Sequence, residues 1–298
     1  IDYDRITSGL RLMAWGFFKK VVFADRIAPI VNAVYNNPTN FSGTPLIVAT
    51  YLFAIQIYCD FSGYSDIAIG AARVMGYDLT INFRQPYFAR SVTEFWRRWH
   101  ISLSTWFRDY VYKPLGGNRV AKWRWYFNLF VVFLVSGLWH GANWTFVIWG
   151  ALHGAYVVLD VATSPMRSRL VQILRLEKVP ILLNAIQIFV TAHLVIFAWV
   201  FFRANSVTDA FYILRNLVAD LELRSGYGVN AGGAYGLAIL GLSVVVLLAV
   251  DWMQLRGSVS EWFSRRPVAV RWALYYAGVF GILIFGKLGS TEFIYFQF

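Results

Sequence analysis

The fold of this chain is decided by residues 125–162, WYFNLFVVFLVSGLWHGANWTFVIWGALHGAYVVLDVA, which are apolar almost without interruption. A transmembrane helix needs about 20 mostly apolar residues to cross about 30 Å of hydrocarbon. The stretch is long enough for two such helices, and it is interrupted at His140-Gly141-Ala142-Asn143. It therefore predicts two membrane passes joined at that break.

Other apolar segments predict further membrane helices along the chain. Three read plainly as spans: Ile181–Phe202, Ala234–Trp252 and Trp272–Leu288. The segment Pro45–Tyr58 is apolar, and the apolar run is ended by the charged residue Asp60. Two alternatives remain for it, a short span or half of a re-entrant pair with Ile67–Met75. Leu10–Ala24 carries Lys19 and Lys20 in its middle, and we interpret it as an interfacial or tilted helix.

Composition supports a membrane protein. Of the 298 residues, 58% are hydrophobic and only 14% are charged, which excludes an ordinary soluble domain and a disordered chain. A net charge of +11 would favour nucleic-acid binding in a soluble protein, whereas in an apolar chain it indicates basic cytoplasmic loops. Cys59 is the single cysteine, which excludes an internal disulfide and a cysteine-based zinc site. Because the sequence begins at Ile1 without a signal peptide, we expect a piece of a longer protein.

Charge also predicts the topology of the loops. Segments 84–124, 166–178 and 253–271 are rich in lysine and arginine, whereas 203–233 has balanced charges. The positive-inside rule then places the three basic segments in the cytoplasm and 203–233 with the C-terminus outside.

Four histidines are the first candidates for chemistry, because polar groups in membrane segments are expensive to bury. His140 lies at the break between two passes, where it suits a general base, but a structural hydrogen bond to a neighbouring helix is equally compatible. His100 lies in an aromatic, basic stretch, residues 94–107, that predicts one amphipathic helix at the membrane surface; spacing alone favours an interfacial anchor. His153 and His193 are predicted to bond neighbouring helices.

The remaining polar residues leave several alternatives. Asp60 and Asp66 are expected to pair with basic residues of 84–108, to bind a cation or to orient a histidine. The sequence contains neither a zinc-type histidine motif nor a nucleophile elbow nor a P-loop, so we predict no metal site and neither serine nor nucleotide hydrolysis.

Four motifs resemble those of the membrane-bound O-acyltransferase (MBOAT) family, and most closely its bacterial alginate O-acetylation branch. They are residues 58–66 (YCDFSGYSD), 82–87 (NFRQPY), 94–104 (EFWRRWHISLS) and 139–144 (WHGANW), in this order. Residues 16–26 and Phe293–Phe298 also resemble that branch. The resemblance implies an all-α, multi-pass membrane fold in which 1–298 form a single domain that lacks the first helices of the family.

The resemblance also implies a site and a reaction. His140 matches the principal catalytic residue and His100 the second active-site histidine, with a supporting set expected around them: Asp60, Asp66, Arg97, Ser104, Trp139 and Asn143. The expected reaction moves an acyl group, acetyl in this branch, from a cytoplasmic thioester such as acetyl-coenzyme A or an acyl-loaded acyl carrier protein. Its acceptor is a polysaccharide outside the cytoplasmic membrane of a bacterium, reached with a periplasmic acetyltransferase partner. No bound cofactor and no nucleic acid are expected. A proton-coupled transporter and a non-catalytic scaffold remain as alternatives.

Overall fold

The computed structural model describes residues 2–219, 233–257, 259–287, 289 and 293, and within them every regular element is helical. This confirms the predicted multi-pass helical fold. Two compact units are formed, one by residues 1–81 with 215–298 and the other by residues 82–214. The α-helices are α1 (Tyr3–Phe17), α2 (Asp25–Tyr35), α3 (Thr44–Val74), α4 (Val92–Arg98), α5 (Ile101–Phe107), α6 (Lys122–His140), α7 (Trp144–Ala162), α8 (Ser164–Ile173), α9 (Pro180–Arg203), α10 (Val207–Asn216), α11 (Gly233–Arg256), α12 (Val259–Ser264) and α13 (Val268–Phe285).

In the first unit, α1 packs directly on α3 through two pairs of glycines. A Cβ atom added to Gly16 would lie 2.6 Å from the carbonyl oxygen of Gly63, and one added to Gly9 would lie 2.7 Å from that of Gly70. Only glycine allows two helix backbones to approach this closely, as in small-residue interfaces of membrane helices. The spacing of seven residues on both helices keeps the contacts on one face.

The structure corrects the prediction that an apolar helix ends at Asp60. α3 is one helix of 31 residues, and Asp60 and Asp66 lie within it. The helix continues because each carboxylate meets an ammonium group: Lys20 Nζ lies 2.5 Å from Asp60 Oδ1, and Lys19 Nζ lies 2.7 Å from Asp66 Oδ2. Paired charges can remain buried where isolated ones cannot, so neither the short span nor the re-entrant pair is formed.

The same ion pairs overturn the interfacial alternative for Leu10–Ala24. A π-helical segment, Phe18–Ala24, follows α1 and turns both lysines inward. Lys19 is only 3% exposed and also donates a hydrogen bond to Ser62 Oγ at 2.8 Å, while Lys20 bridges Asp25 and Asp60. An interfacial helix would leave these groups in water; here they cross-link three segments of the first unit.

In the second unit, α6 and α7 form a hairpin joined by residues 141–143, which confirms the predicted break in 125–162. α7 is long and apolar enough to cross a membrane, whereas the predicted crossing by α6 stays a prediction. The two helices touch at Gly137 and Gly150. A Cβ atom on Gly137 would overlap the carbonyl oxygen of Phe146 and lie 3.3 Å from the Cα atom of Gly150. This contact fixes the end of α6, where His140 lies, against the first turns of α7.

Five of the described helices are long and apolar enough to cross a membrane: α3, α7, α9, residues Ala238–Arg256 of α11, and α13. The predicted spans Ile181–Phe202 and Ala234–Trp252 therefore correspond to α9 and α11, and Trp272–Leu288 to α13, whose bounds lie a few residues earlier. Leu288, residues 294–298 of the closing motif and residues 220–232 of the predicted outer loop lie outside the described residues. The predicted orientation of the loops stays a prediction.

Candidate active site

His140 is the last residue of α6 and lies in a cluster of aromatic rings. Its ring centroid is 4.9 Å from that of Trp139, 5.1 Å from that of Trp149 and 5.1 Å from that of Phe202, each in an edge-to-face arrangement. α7 supplies Trp149 and α9 supplies Phe202. Apolar rings on several sides shield the imidazole from bulk water and hold its orientation.

His100 lies at a break between α4 and α5, which corrects the prediction of one amphipathic helix over 94–107. Its backbone is left-handed, with φ 43° and ψ 56°. For a residue with a Cβ atom, this conformation is disfavoured by about 1–2 kcal/mol. His100 therefore keeps it only because surrounding contacts hold it there.

Those contacts come from residues 82–84, which we call the clamp segment. The carbonyl oxygen of Asn82 accepts a hydrogen bond from Ile101 N at 3.0 Å, and Arg84 N donates to the carbonyl oxygen of Arg98 at 2.9 Å. The side-chain oxygen of Asn82 accepts from Ser102 N at 3.1 Å and from Ser102 Oγ at 2.6 Å. The clamp segment thus binds the chain on both sides of His100.

Trp139 connects the two histidines. Its ring centroid is 6.5 Å from that of His100 and 4.9 Å from that of His140. Ser102 Oγ lies 3.5 Å from His100 Nδ1. Burial lowers the pKa of His100 to about 4, so its ring is neutral near pH 7 and a nitrogen lone pair is available for hydrogen bonding.

A cavity of about 420 Å³ opens within the second unit, and neither His100 nor His140 is among its lining residues. The cavity approaches the histidines through two lining serines: Ser104 follows His100 by four residues in the chain, and Ser136 precedes His140 by four in α6. Most of its wall is apolar or aromatic, and two arginines contribute to it. The lining residues are Thr93, Trp96, Arg97, Leu103, Ser104, Phe107, Arg108, Tyr112, Asn118, Trp125, Leu129, Val132, Phe133, Ser136, Val157 and Val161.

The other predicted site residues divide between the two units. Arg97 and Ser104 line the cavity. Asn143 has structural bonds: its side-chain oxygen accepts from Thr145 N at the start of α7, and its amide donates to the carbonyl oxygen of Asn205. Asp60 and Asp66 belong to the first unit, in the ion pairs described above, so the bases paired with them there are lysines of 18–24 and not residues of 84–108.

Two features of the site are absent from the sequence analysis. One is the clamp segment: its motif is recognisable in the sequence, but the pairing of Asn82 with residues 101 and 102 is not. The other is the hydrogen bond from Trp96 Nε1 to His153 Nδ1, which is 3.2 Å long. It confirms that His153 bonds to a neighbouring helix, and it orients a tryptophan of the cavity wall.

His193 bonds to the carbonyl oxygen of Phe189 in its own helix at 2.7 Å. Among the described residues, no group of three His, Cys, Asp or Glu side chains is arranged to hold a metal ion.

Comparison with known proteins identifies the family. Residues 7–208 match the model of the MBOAT, membrane-bound O-acyltransferase, family. The chain is 43% identical over 209 residues to the probable alginate O-acetylase AlgI of Pseudomonas aeruginosa, covering 70% of this chain and 38% of that protein.

Two further relatives carry related names. The chain is 39% identical to the peptidoglycan O-acetyltransferase of Helicobacter pylori over 73% of this chain and 40% of the relative. It is 30% identical to the teichoic acid D-alanyltransferase of Streptococcus thermophilus over 53% of this chain and 41% of the relative. The chain thus spans about two-fifths of the length of the curated relatives it matches. Because the family model matches residues 7–208, which include both histidines and every residue that lines the cavity, this chain belongs to the membrane-bound O-acyltransferase family.

Proposed function

We propose that this chain carries the transfer site of a bacterial membrane enzyme that moves an acyl group, acetyl in the first instance, from an activated donor to hydroxyls of a polysaccharide. One observation carries the proposal: an apolar cavity with two arginines in its wall is lined by Ser104 and Ser136, which stand four residues from His100 and His140 along the chain. Such a cavity suits a ligand with an apolar acyl end and an anionic remainder.

The two histidines have the chemistry that acyl transfer needs. His140, held among aromatic rings at the end of α6, takes the proton from the acceptor hydroxyl as its oxygen attacks the thioester carbonyl. The proton then passes to the departing thiolate, so no proton is gained or lost overall. His100, neutral near pH 7, orients the acceptor or donates to the developing oxyanion through its N–H.

The donor is proposed to be a thioester such as acetyl-coenzyme A or an acyl carrier protein, used as a substrate and not as a bound cofactor. Arg97 and Arg108 bring positive charge to the cavity wall, and segment 84–124 as a whole is basic. Positive charge attracts phosphate-bearing donors to the site. A basic segment of this kind also belongs on the cytoplasmic side, where such thioesters are made.

The acceptor side is proposed from the names of the relatives. They are named for alginate, peptidoglycan and teichoic acid, three polymers that lie outside the cytoplasmic membrane. We therefore propose a location in the bacterial cytoplasmic membrane and a periplasmic acetyltransferase as partner. Because the three names differ in polymer and in acyl group, the acceptor is proposed only as an extracytoplasmic polysaccharide.

The experiment compares His140→Ala with His193→Ala in cells whose only copy of the gene carries the change. We expect His140→Ala to abolish ester-linked acetate on the polysaccharide while the protein still reaches the membrane, and His193→Ala to retain it. Retention in both His140→Ala and His100→Ala would refute catalysis and favour a scaffold. Proton-coupled uptake by vesicles that contain no acceptor would favour a transporter.

A further inference from the structure

A short helix, α8, lies where the chain passes from one membrane helix to the next. α7 ends at Ala162, α8 occupies Ser164–Ile173, and α9 begins at Pro180. α7 and α9 are both long and apolar enough to cross a membrane. A helix of ten residues is about 15 Å long and cannot cross about 30 Å of hydrocarbon. α8 therefore lies at the level where α7 and α9 leave the bilayer.

One face of α8 is apolar and exposed. Met166, Leu170 and Ile173 follow each other at intervals of four and three residues, which places them on one side of the helix, and Leu174 directly follows the helix. They are exposed by 65%, 54%, 76% and 57%, respectively. The opposite side carries Ser164, Ser168 and Gln172 together with Val171, which is the one half-buried residue of α8. In water, an apolar face of this size on a ten-residue helix is unfavourable.

Positive charge borders this face. Arg167 and Arg169 lie on its two sides, and Arg175 and Lys178 follow the helix, with Glu177 as the one acid of residues 164–179. An apolar arc bordered by arginines is the pattern of a helix that lies in a lipid interface, with its long basic side chains reaching the headgroups. The excess of basic residues is complementary to anionic phospholipids.

The orientation of α8 is fixed by a polar contact to α7. The Arg167 guanidinium binds the Asp160 carboxylate at 2.5 Å and the carbonyl oxygen of Asp160 at 2.7 Å. The same carboxylate accepts from Thr93 Oγ1 at 2.5 Å, and Thr93 lines the cavity. The apolar face is therefore held in one direction relative to α7, and its position is linked to the first turn of α4 in the cavity wall.

From these observations we propose that α8 is an anionic-lipid-binding helix, with Met166, Leu170, Ile173 and Leu174 in the acyl-chain boundary and Arg169 and Arg175 at lipid phosphates. The proposed occupant is the bilayer surface itself and not a protein partner, because α7 and α9 place α8 at the level of that surface.

The experiment maps which side of α8 contacts lipid in the full chain. Cys59 is buried and is the single cysteine, so a Cys59→Ser background allows one fluorophore to be attached at Leu170→Cys, Ile173→Cys, Ser168→Cys or Gln172→Cys. The labelled proteins are reconstituted in vesicles that contain phosphatidylcholine with brominated acyl chains. We expect bromine to quench positions 170 and 173 about threefold more than positions 168 and 172. Equal quenching at all four positions, or none at any, overturns the proposal.

A second experiment tests whether α8 prefers anionic lipid. Vesicles contain either brominated phosphatidylglycerol or the same small amount of brominated phosphatidylcholine, and quenching at position 173 is compared between the two. We expect about twofold stronger quenching by the anionic lipid, and loss of this preference in Arg169→Gln/Arg175→Gln. Equal quenching by both lipids overturns the anionic part. Fluorophores at 170 and 173 that respond only when a soluble acyl carrier protein is added identify a protein site and overturn the lipid proposal.

Discussion

Replacement of Asn82 by alanine tests whether the clamp segment holds His100 in its working position. The substitution removes the side-chain oxygen that accepts from Ser102 N and Ser102 Oγ. The backbone bonds from Ile101 N and Arg84 N remain, since they do not involve the side chain. The change lies outside the cavity wall, so any loss of activity must act through the position of His100.

The expected size follows from a balance of two terms. Each lost hydrogen bond contributes about 0.5–1 kcal/mol at a partly exposed position, and the left-handed conformation of His100 is disfavoured by about 1–2 kcal/mol. Losing both bonds removes about as much free energy as the strain that they offset. Since about 1.4 kcal/mol corresponds to a factor of ten, the population with His100 in place falls about tenfold, and activity with it.

The assay measures ester-linked acetate on the polysaccharide per amount of membrane-inserted protein. Ser102→Ala keeps the bond from Ser102 N and removes the hydroxyl, which bonds to Asn82 and lies 3.5 Å from His100 Nδ1; we expect about a threefold loss. Asn82→Asp keeps the acceptor oxygen and should retain most of the activity of the parent. His100→Ala sets the lower limit. Activity of Asn82→Ala within twofold of the parent, together with an inactive His100→Ala, would refute the reasoning about the clamp segment.

Three further predictions follow from the cavity, the buried ion pairs and the pKa of His100. Val132→Phe places a larger side chain in the cavity wall and should raise the KM for the proposed donor, acetyl-coenzyme A, about fivefold, or about 1 kcal/mol. As a control, Val135→Phe at an exposed position of the same helix should leave this KM unchanged. Equal KM values for the two variants would contradict the prediction. Lys20→Met leaves the carboxylates of Asp25 and Asp60 without their shared ammonium group and should lower the free energy of unfolding by about 3 kcal/mol. The measurement is the Tm in detergent, which should recover in part when Asp60→Asn is added. An unchanged Tm in Lys20→Met would contradict the prediction. Because burial lowers the pKa of His100 to about 4, its ring stays neutral as pH falls from neutral to about 5 and activity should remain level over that range; an acid limb near pH 6.5 that His100→Gln removes would speak against it.

Composition and apolar length are sufficient to predict several of the long helices. The hairpin of α6 and α7, its break at residues 141–143, and the spans α9 and α11 follow from runs of apolar residues and one polar interruption. A long apolar run predicts a helix in hydrocarbon from the hydropathy of its own residues, so no contact with a distant segment has to be known. For the same reason the family motifs located both histidines, because each motif is local in the chain.

Among the predictions that were wrong are the helix end at Asp60 and the continuous helix over residues 94–107. In both places, contacts between distant segments decide the local structure. Asp60 reads as the end of a helix when its own neighbours are considered, but Lys20, forty residues earlier, supplies the charge that keeps it inside α3.

At His100, contacts with a distant segment interrupt a helix, whereas at Asp60 they keep one continuous. The neighbours of His100 favour a continuous helix, and the chain breaks there because Asn82 and Arg84 bind the backbone at residues 98–102. In both cases a hydrogen bond or ion pair of about 1–3 kcal/mol exceeds a local preference of about 1 kcal/mol per residue. Local rules should therefore fail most often where polar groups of two segments meet inside an apolar protein, and those are the places where a membrane enzyme must assemble its chemistry. The break at His100 is accordingly part of the site: it separates a helix that carries Arg97 into the cavity wall from one that carries Ser104 into it.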